Sequence, residues 1–104
     1  MKIPKRLKLM GHSISVSVVS KKAWYEFAPT VDLDPDEACA VWLPSSDRIV
    51  MMRNKNKELL FHTFWHESMH AILDMMSHKL SRDEVFVDQS AALIAQAIAT
   101  AEYK

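Results

Sequence analysis

Residues 57–78, KELLFHTFWHESMHAILDMMSH, constrain the fold more than any other stretch of the chain. Asn54 to Asn56 supplies turn and N-cap chemistry, and a long helix is predicted to follow, reaching about His78. That helix is apolar almost all round (Leu59, Leu60, Phe61, Phe64, Trp65, Ile72, Leu73, Met75, Met76), so it must run through the core with other elements packed on several sides. Polar residues on a helix this buried need a reason. His66 and His70 stand four apart, on one face and one turn from each other, where both imidazoles can reach a single ion. Glu67 lies about 100° further round, badly placed as a third ligand but able to reach a water held at the same ion. The stretch His66-Glu67-Ser68-Met69-His70 is thus an H-E-x-x-H pattern: two neutral imidazoles for Zn²⁺ and a carboxylate for general-base work.

The remaining segments can cover such a helix. His12 to Ser20 alternates Ile14, Val16 and Val18 with Ser13, Ser15 and Ser17, the pattern of a strand with one buried and one wet face. Residues 21–30 contain Trp24, Tyr25 and Phe27 and read equally as a short helix or an irregular turn. The acidic stretch VDLDPDEA (31–38) imitates the opening of a calcium loop, but Glu37 and Leu43 stand where an EF-hand needs its glycine and its glutamate, so a solvated turn is expected. Two apolar runs, ACAVWL (38–43) and RIVMM (48–52), flank Pro44-Ser45-Ser46-Asp47 and form a hairpin. Ser81-Arg82-Asp83-Glu84 has a capping-box pattern that opens a last helix, continuing to about Glu102. Val85, Ile94 and Ile98 are placed on its apolar side, and six alanines keep it slim enough to pack closely on the first helix. The expected fold class is α+β: a small antiparallel sheet of about three strands packed on the buried helix and a C-terminal helix, in a single domain spanning 1–104.

At 104 residues, 49% hydrophobic and 25% charged, the chain has the make-up of one globular domain with a modest core. Thirteen basic and thirteen acidic side chains cancel, so bulk charge directs the protein to neither nucleic acid nor membrane. Lys2, Lys5, Arg6 and Lys8 bunch at the start and read as a solvated terminus rather than an arm for an acidic partner. A single cysteine, Cys39, excludes an intramolecular disulfide framework and fits a reducing compartment. Within ACAVWL it reads as a small buried hydrophobe. The basic and then polar opening is not expected to act as a secretory leader, and no stretch of ~20 apolar residues occurs in the sequence, so the expected setting is cytoplasmic, with no membrane or nucleic-acid partner and a monomeric state.

Two histidines alone hold zinc poorly, so a third donor must come from elsewhere. Glu84 and Asp88, one turn apart on one face of the last helix, are the candidates. HExxH followed by a second helix carrying Glu-x-x-x-Asp resembles the gluzincin metallopeptidases, the thermolysin-like class. In small size the chain also resembles ImmA/IrrE-type metallopeptidases and phage-encoded HExxH proteins, in which E-x-x-A-N follows the motif; Val87 and Asp88 stand here in place of Ala and Asn. The resemblance covers roughly residues 38 to 98, with 13 residues between His70 and Glu84. It implies a zincin-like fold, Glu84 as third ligand and Asp88 orienting a ligand histidine from behind. If Glu84 instead caps its own helix it cannot bind metal, and Asp88 becomes the alternative ligand.

His62, one turn before His66, is a further candidate ligand or proton donor, set against a plain half-exposed histidine. Asp74, one turn beyond His70, is placed to support that ring's free N–H or to sit in solvent. Tyr25, Tyr103, His12 and His78 are candidates for polarising an oxyanion. The expected activity is zinc-dependent hydrolysis of a peptide bond in a protein or peptide, with zinc-bound water activated by Glu67. The substrate is expected to lie along a strand edge of the 38–52 hairpin. The alternative is a zinc-binding regulatory or protein-interaction module without turnover, which would have no need of Glu67. A helix-turn-helix role is disfavoured because neither helix has a basic face.

Overall fold

In a computed structural model, which describes residues 2–103, the chain is α+β with a mixed sheet of four strands and three α-helices. The strands are β1 (Arg6–Leu9), β2 (His12–Val19), β3 (Ala40–Leu43) and β4 (Arg48–Met52). Their spatial order is β1-β2-β4-β3. The helices are α1 (Lys21–Phe27), α2 (Lys57–Met75) and α3 (Glu84–Thr100).

This corrects the expected sheet of about three antiparallel strands in two respects. First, the basic N-terminal residues belong to a strand. Leu7 and Leu9 turn inward against the core while Arg6 and Lys8 turn out, a period-2 alternation masked by the density of charge. Met10 (φ 49°) and Gly11 (φ 81°) make the two-residue turn, with Leu9 opposite His12. Two consecutive positive φ values match the twist of a tight hairpin. Second, β2 and β4 pair in parallel, Val16 opposite Ile49 and Val18 opposite Met51. The intervening α1 and β3 carry the chain across, as a parallel pairing requires. The expected hairpin does form, with Trp42 opposite Ile49.

β4 is central and buried on both faces, so its consecutive Ile49, Val50 and Met51 are all inside, as a strand covered from two sides demands. On one face Ile14, Val16, Trp42, Ile49 and Met51 pack on Phe64 and Ala71 of α2. On the other, Val50 meets Trp24 and Ala28, so residues 21–27 are a helix that covers the β3–β4 half of the sheet. Ser20 caps α1 by accepting from Ala23 N–H.

α2 begins at Asn56, whose side chain accepts from Leu59 N–H at 3.1 Å. It ends three residues earlier than the sequence pattern suggests. Ser77 takes a left-handed φ of 52°, with Ser77 N–H on Asp74 C=O and His78 N–H on Leu73 C=O. These are the paired bonds of a Schellman stop, built on serine where glycine is usual. The short turn that follows returns the chain antiparallel along α2. α3 packs through Val87, Ala91 and, more peripherally, Ile94 against Met69 and Leu73, and Ala95 is buried further along the helix. Val85 and Ile98, expected inside, are 67% and 43% exposed. Apolar residues occupy more than one face of α3, and the small alanines win the contact with α2 because they allow the closest approach. Among the described residues no helix is long and apolar enough to cross a membrane.

Candidate metal centre

The antiparallel course of α2 and α3 brings Glu84 opposite His66 and His70, and Asp88 opposite His62 and His66. The start of α3 decides what Glu84 can do. The N-cap is Asp83, whose side chain accepts from Phe86 N–H at 3.0 Å. The cap thus lies two residues beyond the expected Ser81. Glu84 becomes the first helical residue, and its carboxylate is free of any capping duty.

That carboxylate divides its oxygens between the histidines. Glu84 Oε2 is 3.1 Å from His66 Nε2, and Oε1 is 3.1 Å from His70 Nε2. One ligand atom from each of the three residues lies within 4.8 Å of the others. The far ring nitrogens are both engaged. His66 Nδ1 meets Asp88 Oδ1 at 3.1 Å, and His70 Nδ1 meets the Ser81 carbonyl at 2.7 Å. A carbonyl only accepts, so His70 carries a proton on Nδ1, while His66 has a carboxylate oxygen 3.1 Å from each ring nitrogen, Asp88 Oδ1 at Nδ1 and Glu84 Oε2 at Nε2.

Both Nε2 atoms face one divided carboxylate at 3.1 Å, a contact that a proton on the ring or a metal ion between the groups would satisfy. The donor set fits a divalent metal: two imidazole nitrogens and a carboxylate, each imidazole backed by an acceptor. Ligand atoms on a tetrahedral zinc stand about 3.3 Å apart, given bonds of about 2.05 Å, close to the distances found. Asp88 faces the opposite edge of His66 and lies outside this group.

Glu67 points into the same cleft and is 9% exposed. Burial pushes its carboxyl pKa up, and the neighbouring Glu84 adds to the rise; the His66 and His70 rings and a hydrogen bond from the Trp42 backbone N–H oppose it. Trp42 also donates its indole N–H to Asp74 at 2.9 Å. Asp74 therefore serves the edge strand and not His70, whose Nδ1 is already satisfied by Ser81.

The cleft, of about 520 Å³, is bordered by β3 and α2, with Leu33, Ala40, Leu59 and Arg82 among its lining residues. Cys39 lines it too and is exposed, contrary to the expected buried hydrophobe. Its thiol pKa is raised by desolvation and then by the charge of Glu67, with the neighbouring Thr63 side chain opposing the rise. The four oxyanion candidates lie elsewhere. Tyr25 donates to Asp36 at 2.6 Å, His12 pairs with Asp47, His78 Nδ1 accepts from Leu80 N–H, and Tyr103 is 85% exposed. Sequence reasoning missed Cys39, Thr63, Trp42, Arg82 and the Ser81 carbonyl as parts of this cleft. Only a strand-edge argument for 38–43 had any means of finding the first and third. Comparison with family models, with curated proteins and with solved structures finds no match to this chain.

Proposed function

We propose that the protein is a zinc-dependent metallopeptidase, with His66, His70 and Glu84 holding the metal and Glu67 as general base. The observation that carries this reading is the convergence of both Nε2 atoms on one divided carboxylate, with a buried glutamate beside them. A bound zinc supplies a Lewis acid that polarises the scissile carbonyl and acidifies water. Glu67 takes the proton from the attacking water on a carboxylate oxygen and passes it to the departing amide nitrogen. Its raised pKa makes it a stronger base than an ordinary carboxylate, which suits proton transfer near neutral pH.

In this reading β3, α2 and α3 form a minimal zincin-like unit, and β3 is the strand that receives substrate. β3 is the sheet's edge. Met52 N–H donates to Cys39 C=O at 2.8 Å, so by the alternation of an antiparallel ladder Ala40 and Trp42 turn their backbone groups to the free side. Trp42 N–H faces the Glu67 carboxylate, whose pKa it helps to lower. Ala40 N–H and C=O remain to pair with an extended peptide laid along the cleft. Protein or peptide chains are accordingly the proposed substrates.

The test uses Glu67→Gln, which keeps size and polarity but accepts no proton at neutral pH. This variant is expected to retain about one zinc per chain while hydrolysis of a mixed peptide library falls by roughly 10²–10⁴. A parent protein that cleaves nothing, with a Glu67→Gln variant indistinguishable from it in the cell, replaces this reading with that of a zinc-binding module without turnover.

A further inference from the structure

A third histidine of α2 lies outside the metal-facing set. His62 stands one turn before His66 and borders the same cleft. Its Nε2 is 3.3 Å from Asp88 Oδ1, the same oxygen that accepts from His66 Nδ1. This nitrogen is shielded from solvent and has no aligned hydrogen-bond partner. A buried polar nitrogen left unpaired destabilises the fold, and Asp88 Oδ1 is the acceptor within reach. The Asp88 side chain is 57% exposed and 3.3 Å away, with room to turn toward this nitrogen. His62 does not join the ligand group of His66, His70 and Glu84.

We propose that His62 is a positioning residue: its Nε2–H pins the Asp88 carboxylate on His66 Nδ1 and thereby keeps His66 Nε2 turned toward Glu84. The need for it follows from where Asp88 sits. Its carboxylate is more than half in water, and His66 alone would hold it by a single bond that solvent competes for. Two donors converging on one oxygen, from successive turns of a rigid helix, remove that freedom. Loss of the clamp frees the His66 ring to exchange tautomers and to rotate, and each such state presents the wrong atom to Glu84 and His70. The consequence for metal binding rests on the proposed function above, while the placement of His66 does not.

The experiment therefore has two arms. In chelator-treated protein, long-range ¹H–¹⁵N spectra read the ring tautomer of His66. The parent is expected to hold the Nδ1–H form, His62→Ala to show a mixture, and His62→Gln, which restores an N–H donor, to return toward the parent. In the second arm, competition with a chromophoric chelator measures zinc affinity. His62→Ala is expected to weaken it about tenfold, at the low end of outer-shell effects, with His62→Gln recovering most of the loss. In an Asp88→Asn background, His62→Ala is expected to add nothing, because its action passes through that carboxylate. An unchanged tautomer in His62→Ala overturns the proposal, as does an equal loss of affinity with and without Asp88. A tautomer shift in a parent that binds no zinc keeps the clamp and removes the metallopeptidase reading.

Discussion

Trp42 donates its indole N–H to the Asp74 carboxylate at 2.9 Å across 32 residues of chain, and so ties the edge strand β3 to the motif helix α2. The tie holds the strand where its backbone N–H meets Glu67. Removing the acceptor leaves a donor stranded on a side chain that is only 8% exposed. Asp74→Ala is expected to destabilise the protein by about 1–3 kcal/mol, and Asp74→Asn by less, since an amide oxygen still accepts. Urea unfolding measures both. In a Trp42→Phe background the Asp74→Ala cost should largely vanish; a cost that persists in full locates the role of Asp74 elsewhere.

Metal affinity orders the four acidic and imidazole groups. His66→Ala or His70→Ala is expected to abolish zinc binding and the thermal stabilisation it brings, because binding energy is partly folding energy. Glu84→Gln removes the divided carboxylate and is expected to cost affinity severely. Asp88→Asn, which meets only His66 Nδ1 and His62, is expected to cost about 10–100-fold. Isothermal titration decides, and the reverse order of Glu84 and Asp88 reassigns the third ligand.

What was legible in the sequence was local. His66, Glu67 and His70 follow from a helical repeat within five residues, and Glu84 with Asp88 from one more turn, so backbone geometry alone places each set. Pairing between the sets is tertiary, yet a short return between two helices leaves few alternatives. Features set by long-range packing are not legible in the same way. Distance along the helix leaves Asp74 either beside His70 or in solvent, whereas its partner is an indole from another element. Arg6 and Lys8 concealed the alternation of Leu7 and Leu9, because charge density dominates a short window. The face of α3 was misplaced because Val85 and Ile98 are more hydrophobic than Ala91 and Ala95, whereas close helix packing selects for small size. The capping pattern at Ser81 was two residues early, since Asp83 offers the same chemistry nearer the apolar run.

Glu67 gives a pH signature in the metal-free protein. Burial raises its folded-state pKa above the ordinary carboxylate value. Between the unfolded pKa and the raised folded pKa, the native state holds a proton that the unfolded state has released, so stability falls as pH rises through that window. Above it the buried charge is a constant liability; below it there is none. Glu67→Gln carries no such charge and is expected to raise the Tm of chelator-treated protein at neutral pH. The gain should shrink on acidification and disappear below the ordinary carboxylate range. Thermal scans of both proteins across pH 4 to 8 are the measurement, pH 4 lying about at the reference carboxylate pKa. A gain that does not vary with pH assigns the effect to packing rather than to charge.

Cys39 offers a probe of the same carboxylate from the other wall of the cleft. Its thiol pKa is raised first by desolvation and next by the negative charge of Glu67, while the hydrogen bond with Thr63 lowers it. The thiolate is the species that reacts with an alkylating agent, so the rate of modification by iodoacetamide follows these groups. In metal-free protein at mildly alkaline pH, Cys39 is expected to react more slowly than a free small thiol. Glu67→Gln removes the repelling charge and is expected to speed the reaction, although desolvation, the larger cause, still keeps it below the free thiol. Thr63→Val withdraws the stabilising hydroxyl at nearly constant volume and is expected to slow it. The two substitutions act in opposite directions on one rate, which a general loosening of the cleft cannot imitate, since loosening would speed both. Equal acceleration in the two variants would show that access and not charge governs the thiol.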